Sequence, residues 1–200
     1  MAPSDEMKRT LFGPRFEEAL RYASHLHVHQ KRKGTDIPYI SHLLSVAALV
    51  IEDGGDEDEA IAGLLHDAVE DQGGVETREE IRSRFGDRVA EIVDGCTDSW
   101  ETPKRPWRDR KEEHLVRLGR ASREVLRVSA ADKLHNARTL LQDYRRDGDA
   151  VWSRFRGGKE GTLWYYRSLT GMLHRSGGGR MVQELEQVVS QLEELAAKAG

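Results

Sequence analysis

Along almost the whole of this chain, apolar residues recur three or four positions apart, and no segment alternates convincingly enough to form a strand pair. Phe16, Ala19, Leu20, Ala23 and Leu26 trace one such stripe. Ala60, Ile61, Leu64, Leu65, Ala68 and Val69 trace another, and Val182, Leu185, Val189, Leu192 and Ala196 a third. That period lines one face of an α-helix and scrambles the two faces of a sheet. The punctuation agrees. Pro14 suits a first helical turn. "KRKGTDIP" at 31–38 reads as a turn, with Pro38 opening the helix that carries His42. The glycines of "EDGGDEDEA" at 52–60 end that helix and offer Asp56 or Asp58 as the next cap. Thr77 and Glu80 of "TREE" read as a capping box for a helix stopping at Gly86, and Asp87 as the cap of its successor. Residues 98–108, "DSWETPKRPWR", read as a loop, 122–147 as a long helix, and "SGGGR" at 176–180 as the hinge between a last helical pair. The expectation is an all-α chain forming a single compact bundle of about nine or ten helices. Residues 1–176 form its body, and 180–200 a C-terminal helix docked on the same domain or used in self-association.

The remaining composition narrows the function. With 200 residues the chain can bury one substantial core. Its net charge of −4 gives no support for a nucleic-acid partner, whose domain would ordinarily be basic. Cys96 is the lone cysteine, so no internal disulfide forms. The longest apolar run, "LLSVAALVI" at 43–51, is too short to span a bilayer, and the first residues carry no signal-peptide core. A cytoplasmic protein without a membrane partner is expected.

Against this apolar background, three helices carry a polar fault. In "AIAGLLHDAVEDQGG", residues 60–74, His66, Asp67, Glu70 and Asp71 arrive together. On a continuous helix the four fall within roughly 140° of arc. That fits a metal with an acid–base partner, and equally an acidic solvent face. A His-Asp dipeptide alone says little in a chain with eight histidines. However, His42 interrupts the apolar "IPYISHLLSVAAL", and Asp132 interrupts "VLRVSAADKLHNARTLL", with Asn136 and Thr139 continuing its stripe. An isolated buried acid is rare without a partner. The economical explanation is that the faults face one another around a cation. Two imidazoles and two carboxylates suit Mn²⁺, Fe²⁺ or Zn²⁺, with coordination positions left for water or substrate.

The ordered set "QKRKG…PYISH", "LLHDAVED", "FGDRVAEIVDGCT" and "ADKLHNARTL" resembles the HD-domain metal-dependent phosphohydrolases. Its closest likeness there is to the small alarmone hydrolases and the hydrolase domain of Rel/Spo-type stringent-response enzymes. The resemblance implies an HD-domain helical fold and a guanosine tetra- or pentaphosphate 3′-pyrophosphohydrolase using one divalent ion, usually Mn²⁺, with Fe²⁺, Zn²⁺ or Mg²⁺ as substitutes. It implies His42, His66, Asp67 and Asp132 as metal ligands, and Glu70 and Asp71 as the residues that orient or deprotonate the attacking water. Arg32, Lys33, Asn136, Thr139 and Tyr166 would contact the phosphorylated nucleotide. The chain departs from the family pattern at Leu43, where such enzymes commonly carry Pro, and at Ala68 and Gln72, where they carry Thr. These departures keep two alternatives open: another phosphorylated nucleotide or cofactor as substrate, and a non-catalytic nucleotide-binding module. His25, His27 and His29, spaced by two, read as solvated surface rather than a second metal site, as does the arginine cluster at 145, 146, 154 and 156.

Overall fold

The computed structural model describes residues 12–98 and 105–198. Among these lie ten α-helices and one short 3-10 turn, and the one extended feature is an isolated antiparallel bridge between Lys31 and Pro38. The fold is all-α. Of the loop expected over 98–108, residues 99–104 lie outside the described residues, and a helix already starts at Trp107. Residues 1–11, read as lacking a signal-peptide core, lie outside them as well. No helix among the described residues is long and apolar enough to cross a membrane.

Three helices form the frame that matters for function. α2 (Ile40–Glu52), α3 (Glu57–Leu65) and α8 (Arg123–Asp147) pack on one another, after α1 (Pro14–Leu26) has laid Ala19 and Ala23 into the same core. Every residue of α3 from Glu59 to Leu65 is buried, because α1, α2, α8 and α6 (Asp87–Cys96) surround it. The short α4 (Ala68–Gln72) and α5 (Gly74–Phe85) link α3 to α6. α7 (Trp107–Leu118) precedes α8, and a 3-10 turn (Gly148–Arg154) leads into α9 (Gly158–Arg175). α10 (Arg180–Lys198) lays Met181, Val182, Leu185, Val189, Leu192 and Ala196 against α8 and α9.

Local chemistry sets most boundaries. Asp56 and Glu59 form a reciprocal capping box, with the Glu59 N–H donating to Asp56 Oδ1 at 3.1 Å and the Asp56 N–H to Glu59 Oε2 at 2.9 Å. Arg127 of α8 ties down both ends of this turn, reaching Asp53 at 3.0 Å and the buried Glu59. Ser122 caps α8, its side chain accepting from the Val125 N–H. Two expected caps do not form. Thr77 lies inside α5, which starts three residues earlier because Gly74 takes a left-handed turn at φ +60°. Glu80 therefore accepts from the Tyr22 hydroxyl at 2.8 Å instead of capping. Asp87 opens α6 behind a left-handed Gly86 (φ +93°) and pairs with Arg82 rather than with the helix end.

The largest departure from expectation concerns residues 60–74, which are not one helix. α3 stops at Leu65 and α4 begins at Ala68, so His66 and Asp67 occupy the break. The cause is local: His66 Nδ1 bonds the Gly63 carbonyl at 2.9 Å, satisfying one of the orphan acceptors in the last turn of α3. The break is slight, because His66 and Asp67 both keep right-handed helical backbone and the Asp71 N–H bonds the Asp67 carbonyl at 3.0 Å.

Gly63 sets how close α2 and α3 approach. A Cβ built there lies 3.2 Å from the Ala47 Cα and 3.4 Å from its nitrogen, with backbone rather than a mobile side chain in the way. Gly63→Val is expected to destabilise the fold by about 1–3 kcal/mol through overpacking. The readout is a lower urea midpoint at unchanged slope, and an unshifted midpoint would refute the tight approach.

Candidate metal centre

His42 enters from α2, His66 and Asp67 from the α3–α4 break, and Asp132 from α8. His66 Nε2 lies 3.0 Å from Asp67 Oδ2 and 3.6 Å from Asp132 Oδ1. His42 Nε2 lies 3.3 Å from Asp132 Oδ1 and 3.7 Å from Asp67 Oδ2. Donor atoms of His42, His66 and Asp67 lie within 4.8 Å of one another. Asp132 closes the group from α8 through its Oδ1, while Lys133 holds its other oxygen. Both imidazole Nε2 atoms are buried without a hydrogen-bond partner. Two orphaned ring nitrogens facing two carboxylates are costly unless something bridges them. A divalent cation would satisfy these donors, and the mixed N/O set suits a first-row ion.

The electrostatics point the same way. Burial opposes charge on His66, but Asp67 and Asp132 outweigh it and raise the imidazole pKa well above its ordinary value. Burial likewise opposes ionisation of Asp67, yet His66 and His42 hold its carboxyl well below the usual range. Asp132 is held low against its own burial by Lys133 and the two histidines. Without an ion, a proton on the His66 imidazole offsets the ionised acids, and a bound cation would take that proton's place.

An outer layer of side chains fixes these groups. The Tyr39 hydroxyl donates to Asp67 Oδ2 at 2.5 Å, and burial with the neighbouring Asp67 pushes its pKa far up, so it remains a donor. Asn136 Nδ2 donates to Asp132 Oδ1 at 2.5 Å, and Arg32 in turn donates to Asn136 Oδ1 at 2.8 Å. His42 Nδ1 faces His135 Nδ1 at 2.8 Å. Asp71 lies at the rim and accepts from Gln30 Nε2 at 2.7 Å. Desolvation there and the Asp67 charge raise its pKa. Gln30 also contacts Gln72 and His27.

Of the remaining expected residues, Glu70 accepts from the Asp98 N–H at 3.3 Å. Lys33 is exposed and lies over the Phe155 ring at 5.7 Å, away from the four ligands. Thr139 bonds back to the His135 carbonyl at 3.0 Å. Tyr166 is buried, its phenol pKa raised by burial, with Lys133, Asp132 and Arg32 close enough to act on it. Of the histidine triplet, His25 and His29 are exposed, whereas His27 is buried and stacks on Tyr39. Sequence reasoning passed over Tyr39, Gln30, Lys133 and His135. Each stands within three residues of a proposed ligand or substrate contact, but only assembly shows which way its side chain turns.

Comparison with known proteins places these features. The HD-domain family profile matches residues 19–163. The guanosine-3′,5′-bis(diphosphate) 3′-pyrophosphohydrolase MESH1 of Xenopus tropicalis is 38% identical over 142 residues, covering 70% of this chain and 74% of that protein. Its Danio rerio counterpart is 36% identical over 126 residues, covering 62% and 67%. The Aquifex aeolicus guanosine-3′,5′-bis(diphosphate) 3′-pyrophosphohydrolase is 39% identical over 127 residues, but the match spans only 17% of its length. Among solved structures, a metazoan ortholog of SpoT described as hydrolysing ppGpp shares the fold at a TM-score of 0.73 and 24% identity, with 96% of this chain and 97% of that one covered. A crystal structure from Listeria monocytogenes aligns at a TM-score of 0.67 and 30% identity, covering 76% and 97%.

The buried His114 sits among Lys111, Lys133, Arg117 and Asp98. Burial, then Lys133 and Lys111, lower its pKa to about 3, so it is neutral in the fold. An unfolded histidine binds its proton near pH 6.5, so between about pH 6.5 and 3 the unfolded chain carries one more proton at this site. Its contribution to stability is complete above that window and is lost as pH falls through it. His114→Asn keeps an acceptor for Arg117 and is expected to flatten the stability–pH slope between pH 6 and 4 by up to about 1.4 kcal/mol per pH unit. Parallel urea titrations of the two proteins measure it, and identical slopes would mean His114 is not held neutral.

Proposed function

The chain belongs to the HD-domain family, and from that premise we propose that it is a metal-dependent hydrolase. It removes the 3′-pyrophosphate from guanosine tetra- or pentaphosphate, giving pyrophosphate and GDP or GTP. The observation that carries the reading is the pair of orphaned imidazole nitrogens facing Asp67 and Asp132, in a chain 38% identical to a protein named for that reaction. His42, His66, Asp67 and Asp132 would hold the ion, Mn²⁺ by preference. When bound, it supplies a Lewis acid for a phosphoryl oxygen and an acidified water.

The chain's own residues do the rest. Asp71, with its raised pKa and its orientation fixed by Gln30, takes the proton of the attacking water, and Glu70 on the same short helix orients that water. The water adds to the phosphorus attached to the ribose 3′-oxygen, the P–O3′ bond breaks, and the 3′-oxygen leaves with a proton. Arg32 and Asn136, already bonded to each other, present a guanidinium and an amide to the nucleotide. Lys33, Thr139 and Tyr166 complete its surroundings. Residues 1–176 form the catalytic unit, working in the cytoplasm. The covered apolar face of α10 favours docking over self-association.

The test is hydrolysis of guanosine tetraphosphate by metal-stripped protein with and without Mn²⁺. Pyrophosphate and GDP are expected only with metal. Their absence from protein with metal bound would transfer the reading to another phosphorylated substrate. Asp67→Ala is expected to lose metal and turnover together. Asp71→Ala should keep metal and lose about 10²–10⁴-fold in rate, the range for removing acid–base assistance. Arg32→Ala should raise KM by about 10–100-fold with little change in kcat, as expected for a charged hydrogen bond. An unchanged KM would exclude its contact with substrate.

A further inference from the structure

Each proposed ligand has a second group bonded to it, and Tyr39 and Asn136 do so at the very oxygens, Asp67 Oδ2 and Asp132 Oδ1, that face the histidines. Asp67 has Tyr39, Asp132 has Lys133 and Asn136, and His66 has the Gly63 carbonyl on Nδ1. The His66 case is unambiguous, because a carbonyl only accepts. Its Nδ1 must carry the proton, and the Nε2 lone pair is free to face the centre. His42 differs. Its Nδ1 meets another imidazole Nδ1, that of His135, at 2.8 Å, and either ring nitrogen could donate.

We propose that His135 is a positioning residue for His42: it accepts the His42 Nδ1 proton and thereby selects the tautomer whose Nε2 lone pair faces Asp67 and Asp132. The inference rests on the metal-centre reading above. Two lone pairs cannot face each other at 2.8 Å, so one nitrogen of the pair carries a proton. If His135 donated, the His42 proton would sit on Nε2. There it would point among carboxylate oxygens 3.3 and 3.7 Å away and occupy the position of the ion. If His135 accepts, its own proton moves to Nε2 and His42 presents a ligand nitrogen, like His66. The surroundings leave His42 little freedom to escape the choice. It is fully buried, with Tyr39 edge-on at 5.4 Å, His66 at 5.2 Å and the His135 ring at 4.8 Å. His135 stands three residues beyond Asp132, so α8 supplies one ligand and the orienting partner of another from adjacent turns of one face.

The experiment is Mn²⁺ binding by calorimetry to the full chain stripped of metal, comparing wild type with His135→Leu and His135→Asn. Leu cannot accept a hydrogen bond, whereas the Asn side-chain oxygen takes the place of Nδ1. The expected result is a 10–100-fold weaker affinity for Leu, the usual cost of an outer partner, with Asn close to wild type. Equal affinities for Leu and wild type, or an equal loss in Leu and Asn, would overturn the assignment. Should the Leu variant fail to fold, two-bond proton–nitrogen correlations on Zn²⁺-loaded wild type decide it. His135 protonated on Nε2 alone is expected, and protonation on Nδ1 overturns it. A wild-type chain that binds no divalent ion would instead remove the metal reading itself. Metal binding with no guanosine tetraphosphate hydrolysis would leave His135's role standing and displace only the substrate.

Discussion

Everything in this molecule is arranged around one awkward requirement: two imidazoles and two carboxylates are taken out of water at the junction of α2, α3 and α8. Such groups are destabilising unless paired, so the elements bringing them there must be held firmly by other means. The surrounding core supplies that, with α3 buried over most of its length and α8 contributing the buried Val125, Val128, Ala131, Leu134 and Ala137. Gly63 allows α2 and α3 to approach closely, and Arg127 anchors α8 to the turn between them. Stability is supplied by the apolar frame and spent at its polar junction.

The break after Leu65 turns that frame into a site. A continuous helix would project His66 and Asp67 in fixed directions 100° apart, with Glu70 and Asp71 stacked one turn on. Ending α3 one residue before His66 lets that imidazole cap the helix through Nδ1 while Nε2 faces Asp132. The same bond therefore finishes a helix and chooses a tautomer. α4 then carries Glu70 and Asp71, and Gln30 reaches Asp71 from the loop after α1. In the proposed reading, ligand and water-handling acid have different electrostatic surroundings: Asp67 is held low and Asp71 is raised.

The proposed substrate contacts are connected to the same scaffold. Arg32 sits in a loop closed by the bridge from Lys31 to Pro38 and reaches across to Asn136, one helical turn beyond Asp132. A nucleotide engaging Arg32 would thus be registered directly against the helix that carries a metal ligand. The departures at Ala68 and Gln72 fall into place differently. Ala68 is a buried packing residue, and Gln72 joins the Gln30 and His27 network. Neither disturbs the four donors.

The sequence alone determined the fold class, because a three-to-four apolar period is incompatible with a sheet. It also singled out His42, Asp67 and Asp132, because they interrupt apolar surfaces, and the structure brings these three side chains together. It misjudged the run from Ala60 to Gly74 as one helix, since the signal that ends α3 is a side chain bonding its own backbone and leaves no mark on periodicity. It also gave Thr77 and Asp87 capping roles that left-handed glycines took over. Tertiary structure alone decided the partners. Tyr39 on Asp67, Lys133 on Asp132 and His135 on His42 join residues whose separations in the chain range from 1 to 93. Spacing along a helix fixes which face a residue occupies, but a hydrogen bond between helices depends on how those helices cross.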